Sequence, residues 1–481
     1  MGHDTRDIYI EKILRCFPDP FTVEDFVYYL SCVGCEISTE EANNYIESAS
    51  CVIKLEGSYF ITHAGLFSNK FFSVVLTKEE INNKCFLPGH RCIPFVDQEV
   101  YPHYYSFVYN GEFLNYKQGI FSTDAALEHY ELFGPEYSVD FICNDPEMQN
   151  FDFRENGYDL PNEVKLRCAD ISELIEEHNL KAGDRLLLRV VNWDQCVIEI
   201  IPFTREKKET LELSKDFLER NRWFKKLEKY LLYGFDSFGP CNSIEQQLLN
   251  VFKDHIDELA IKNCGSIEEF LSWTKKVSIE EYGVTLRLWR TGELVPAFGP
   301  WNNFESNQST EVDYEVPDFI IDEYIKDMAY QKKNYMDDML SNIFPSSYKI
   351  SDNHRNGLLL NIANRNDIIL RRYNWFKDQQ IGKVRHKALQ VYKKVTFLIY
   401  EIKRVKCNFR FFPQQELVML SQMDESLNKI ILGISSEGFE SFDTEMYLQV
   451  LDGMEFNFDA IEQDLRTALF KCKKQEFKLV D

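Results

Sequence analysis

No run of about 18 consecutive apolar residues occurs in the chain, so a membrane-spanning helix is not expected. The chain also lacks the common signatures of catalysis: there is no GxxxxGKS/T, no GxGxxG after a strand, no GxSxG and no HExxH. Positive charge is scarce, with 54 Lys and Arg against 78 Asp and Glu, a net of -24. That balance argues against a surface that coats nucleic acid non-specifically. A secretory leader is not expected either, since Asp4, Asp7 and Glu11 stand where a signal peptide needs cations and an apolar run. Arg6 occupies the position where myristoylation wants Ser or Thr. The chain is therefore expected to be cytoplasmic, without a membrane partner. What is abundant is aromatic: 25 Tyr and 38 Phe among 481 residues, 14% with Trp, exclude global disorder. At roughly 150 residues per domain the length allows about two to four domains.

The first 66 residues have a clear order. DIYIEKILRCF places Ile8, Ile10, Ile13 and Leu14 at helical spacing. Thr22 with Asp25, and Ser38 with Glu41, cap a second and a third helix. CVIKLEGSYFITHAGLF then reads as two strands turning at Glu56-Gly57. Three helices and a hairpin resemble a winged-helix domain over residues 6–66, by element order alone. A DNA-reading member of that class needs bases on its third helix and wing. Here residues 38–49 carry Glu40, Glu41 and Glu47 and no base, and residues 1–64 hold four bases against eleven acids. The resemblance therefore implies a protein contact or a structural cap.

From 67 to 205 the pattern is strand-rich. KFFSVVLT and VDFIC read as strands, YYSFVYNGEFLNYK as a hairpin over Asn110-Gly111, and DRLLLRVVNWDQCVIEIIPF as a hairpin near Trp193-Asp194. A short helix between them is expected to close at Gly183. One or two small β-barrels are expected. Beyond 206 the period is mostly helical, with Ser243–Gln246 and Ser266–Glu269 as further caps and a hairpin over Thr291-Gly292. The fold class is thus α+β and multidomain: a winged-helix-like N-terminal domain (1–66), a β-rich, small-barrel middle (67–205), a helical domain with a hairpin (206–301), a polar acidic linker (302–317) and a helical domain (318–481).

Against the acidic background, residues 383–406 put eight bases beside one Glu, and residues 371–410 carry a net +10. Val384, Ala388, Val391, Val395, Leu398, Ile402 and Val405 form one apolar helical stripe. Lys383, Arg385, Lys387, Lys393, Lys394, Lys403 and Arg404 lie off it, with Arg371 and Arg372 extending the basic face. Three readings compete: neutralisation by the protein's own carboxylates, docking of an acidic protein or a second copy, and nucleic acid stacked on Tyr392, Phe397 or Tyr400. The function expected is non-enzymatic protein binding or assembly, docking an acidic partner through the basic helix. A nucleic-acid-binding regulator, or an enzyme with an unrecognised site, is the alternative.

KCFLPGHRCIPF, residues 84–95, is the most unusual local string. Cys85, His90, Cys92 and His103 have zinc-binding chemistry at a spacing that matches no paired-ligand pattern, and Cys32-x-x-Cys35 is the only CxxC. Neither a metal nor any other cofactor is expected. The thirteen cysteines read mostly as small, reduced core residues, Cys32 among them at a helix end. Glu401-x-Lys403 resembles half of a nuclease motif, but on a helix, without its partner carboxylate. His90 and Arg91, after the Pro88-Gly89 turn, are candidates to project into a pocket. Finding them there together with carboxylates would favour an enzyme.

Overall fold

A computed structural model describes residues 3–478, apart from 56, 98, 154–155, 158, 203–209, 302–315, 333–335, 346–347, 349–351, 375–377, 406–408 and 436–443. Most of the expected linker, and Glu56 of the first expected turn, lie outside the described residues. The structure is mixed α/β, about 58% helical. It divides into two compact units, Met1–Glu281 with Thr285–Val295, and Tyr282–Val284 with Pro296–Asp481.

The first unit begins with α1 (His3–Arg15), α2 (Val23–Cys32) and α3 (Thr39–Ser48), followed by antiparallel β1 (Val52–Lys54) and β2 (Phe60–Thr62). Thr22 and Ser38 each make the reciprocal cap their sequence calls for. Ile10 and Leu14, Phe26 and Leu30, Ala42 and Ile46 recur every four residues, so each helix turns one stripe inward onto Phe21 and Phe60. Cys32 is exposed, which corrects its reading as a core residue. Cys85, Cys92, Cys168, Cys196 and Cys264 are free and buried.

Next come α4 (His63–Phe67), β3 (Phe71–Val75), α5 (Lys78–Asn83), β4 (Cys85–Phe86), β5 (Ser106–Tyr109), β6 (Glu112–Phe113), β7 (Tyr116–Ser122), α6 (Thr123–Glu128), α7 (Pro135–Cys143), β8 (Glu163–Asp170), α8 (Ser172–His178), β9 (Arg185–Asn192) and β10 (Val197–Pro202). Five strands pair in the order β3-β9-β10-β5-β6, with only β10 and β5 parallel, and three more in the order β4-β8-β7. Among the described residues neither sheet closes, which corrects the expected small barrel. The chain is short of strand where closure would need it: β4 and β6 are two residues each. VDFIC, expected as a strand, is the second half of α7, whose Pro135 sits in the first turn, where a missing N–H costs nothing. Asn179, in the left-handed region, closes α8 in place of Gly183.

The unit ends with α9 (Thr210–Phe238), α10 (Ile244–Leu259), α11 (Ile267–Trp273), β11 (Val277–Tyr282) and β12 (Thr285–Arg290). The β11–β12 turn falls at Gly283 (φ +64°), not at Thr291-Gly292, because the strand paired with β12 precedes it. Phe95 joins three elements in the core, stacked on Phe72 of β3 at 4.5 Å and edge-on to Phe67 of α4 and Phe252 of α10.

The second unit is helical: α12 (Asp318–Tyr330), α13 (Met336–Ile343), α14 (Asp352–Arg372), α15 (Gln379–Arg404), α16 (Gln414–Ser435) and α17 (Thr444–Lys478). The whole apolar stripe of α15, Val384 to Ile402 with Val405 just beyond, is buried. It packs with Ile320 and Tyr324 of α12, Leu427 and Ile431 of α16, and Leu451, Phe458 and Leu465 of α17. Among the described residues no helix is long and apolar enough to cross a membrane.

Candidate functional site

The basic helix α15 is largely engaged within its own unit. Arg385 is buried, its guanidinium held by Asp378 through two bonds of 2.6 Å and by the buried Glu323 at 2.6 Å. Lys387 reaches Asp452 at 2.6 Å and Glu455 at 2.5 Å, and Lys394 reaches Glu455 at 2.6 Å and Asp459 at 3.4 Å. These acids recur on one face of α17 at the spacing that matches two lysines seven apart. Lys393 donates to Asn342 of α13 at 2.9 Å and lies 5.5 Å from the Phe397 ring. Glu401, the half-motif carboxylate, accepts from Arg466 at 3.2 Å. Arg371, Lys383, Lys403 and Arg404 are exposed, and the side chain of Arg372 lies outside the described residues. The expectation that the bases all face outward is thus corrected at the buried Arg385, while Lys387 and the exposed Lys394 have their charges met by the unit's own carboxylates.

The His90–Arg91 segment lies beside a cleft of about 780 Å³ in the first unit. Thr77 begins its construction by capping α5 reciprocally with Glu80, which turns Glu80 inward until it is wholly buried. Both oxygens of Glu80 meet Arg91, at 2.5 and 3.2 Å, and one also accepts from the Leu87 N–H at 2.9 Å. The remaining Arg91 donors go to the carbonyls of Val75 (3.0 Å), Pro88 (3.3 Å) and Leu87, over the Phe86 ring. All five N–H bonds of the guanidinium are committed inside the protein, which makes Arg91 an organiser of the surrounding loop.

Gly89 (φ +53°) lets this loop touch its neighbour. A Cβ there would stand 2.0 Å from the His129 carbonyl, the group that accepts the His90 N–H at 2.7 Å. His90 and His129 are thereby brought together, and burial, with Arg91 nearby, holds both imidazoles well below their usual range. His90 Nδ1 accepts a long bond, 3.5 Å, from the Leu132 N–H, so the neutral ring carries its proton on Nε2.

The opposite wall comes from α9 and α11. Gly265 brings the start of α11 against Phe224, where a Cβ would meet the ring at 2.3 Å. Ser266 caps α11 with Glu269, and Glu269 also binds Arg220 of α9 at 2.8 Å. Glu268, next to it, lines the cleft and pairs with one cation, Arg91 Nε at 3.5 Å. Burial raises its carboxyl to about 7, with Glu80 adding to the rise and Arg91 and the Ser266 hydroxyl opposing it. The apolar lining is Val75, Leu76, Phe217, Phe224 and Trp273, the last two 5.5 Å apart between ring centres.

A carboxyl that titrates near neutrality, in an apolar cleft with fixed neutral imidazoles beside it, can bind a hydrogen-bonding head group or exchange a proton with it. Of the residues singled out by sequence, the structure places His90 on the cleft and Arg91 behind it; Cys85, Cys92 and His103 do not line it. Glu268, Trp273, Phe224 and Arg220 escaped sequence reading. The Ser266–Glu269 cap marked where α11 starts, but nothing local says that its first turn faces His90. Among the described residues no group of three or more His, Cys, Asp or Glu is arranged to hold a metal ion.

Fold and cleft define a mixed α/β protein with a ligand-sized recess in its first unit. No family model, curated protein or solved structure matches this chain.

Proposed function

We propose that the protein binds a small organic molecule in the cleft between β3, α9 and α11, with Glu268 as the group that fixes its polar end. The observation that carries this reading is a recess of about 780 Å³ that combines the aromatic side chains of Phe224 and Trp273 with a carboxyl, Glu268, whose one cation is Arg91 Nε at 3.5 Å. That volume falls in the range of small-molecule sites, and an apolar lining with few polar groups is their usual composition. The proposal includes a winged-helix-like N-terminal segment and a cytoplasmic setting. The former is supported by three helices leading into an antiparallel pair of strands. The acids Glu40, Glu41 and Glu47 on and around α3 favour a protein contact over nucleic acid there. Docking an acidic partner on α15 has narrower support, since Arg385, Lys387 and Lys394 are already ion-paired within their unit.

The test is a diverse fragment library screened by ligand-observed NMR against the wild-type chain and Ala182→Trp, which fills the cleft from one side. Binders that lose their signal with the variant are the expected result. A library with no binder, or binders indifferent to Ala182→Trp, would overturn the reading.

A further inference from the structure

Resting on the cleft reading, we infer that the occupant is an organic cation: a protonated amine on an apolar or aromatic body, with Glu268 as its counter-ion. Glu80 is bound on both oxygens by Arg91. Glu269 is bound by Arg220 at 2.8 Å, with Arg185 at 3.7 Å. Glu268 has one cation, Arg91 Nε at 3.5 Å, and that N–H also donates to the Pro88 carbonyl at 3.3 Å, so its charge is the least closely matched of the three. A carboxylate in a low-dielectric recess gains most from an opposite charge at short range.

The walls agree with that sign. Aromatic rings attract cations, and Phe217, Phe224 and Trp273 are all in the lining. His90 and His129 are held neutral by burial and bring no competing positive charge. An anion would meet Glu268, Glu269 and the exposed Glu128, with Lys78 at the rim and Arg220 already bonded to Glu269. Because burial raises Glu268 to about 7, cation binding at pH 6 displaces its proton, so affinity should grow from pH 6 to pH 8.

Three indole compounds of like size separate the possibilities: tryptamine (cation), tryptophol (neutral) and indole-3-propionate (anion), titrated against the full chain at pH 8 by saturation-transfer NMR. Tryptamine should bind at least about tenfold tighter than tryptophol. Glu268→Gln should remove that advantage without changing tryptophol, and Glu268→Asp should restore part of it; melting curves confirm that both variants fold. Equal or tighter binding of tryptophol or indole-3-propionate overturns the cation inference, and so does tryptamine binding indifferent to Glu268→Gln. If none of the three binds while library fragments do, this inference falls and the cleft stands. If the library is silent as well, both fall.

Discussion

Glu268 and Glu80 flank Arg91 and differ in what they do to stability. Glu268 is raised in the folded chain, to about 7, so its contribution is fully present below the ordinary carboxyl range and is lost as pH rises through 7. Glu268→Gln cannot ionise and should melt higher than wild type at pH 8.5, by about 1–2 kcal/mol after allowance for partial exposure. At pH 5 the two should nearly coincide, as differential scanning fluorimetry would show. Glu80, by contrast, is tied to a fixed guanidinium fork. In Arg91→Lys one ammonium must serve a buried carboxylate and leave the carbonyls of Val75 and Leu87 short of donors. The expected loss is about 3 kcal/mol, the lower end for breaking a buried pair, read as the urea midpoint. None of this network is legible as a network in the sequence. Arg91 and Glu80 are close enough along the chain to be guessed, but Glu268 is far from both, and only packing brings it within 3.5 Å.

At the scale of elements, what was legible followed from local chemistry. Thr22, Ser38 and Ser266 cap where their spacing to Asp25, Glu41 and Glu269 says they should, because a cap is complete within four residues. The Asn110-Gly111 hairpin forms with both residues at positive φ, as a two-residue turn requires. The stripe of α15 is buried for the same reason, being a period within one helix. VDFIC failed because a short apolar run does not distinguish strand from buried helix, and Pro135, which starts the helix, stands four residues earlier. The partners of α15 were hidden because Asp452, Glu455 and Asp459 lie some sixty residues downstream. Their role is open to test: Lys387→Glu with Lys394→Glu should cost about 1–2 kcal/mol by thermal melting, as two partly exposed pairs turn repulsive. Lys383→Glu, at an exposed site, should stay within about 0.5 kcal/mol of wild type.

At the scale of the molecule, the charge balance argues first. With a net of -24 and the central bases of α15 engaged, the chain should not shift duplex DNA in a gel even at 50 mM salt. Strong retardation that falls steeply with added salt would contradict that expectation. The division into two compact units bears on cooperativity: calorimetry should resolve two transitions, since each unit has its own core. The cleft is lined wholly by residues of the first unit. A saturating ligand therefore stabilises that unit by mass action, about 2.7 kcal/mol at a hundred times its dissociation constant. One endotherm should climb with ligand concentration while the other stays in place as an internal reference, so that a single scan both reports occupancy and locates it.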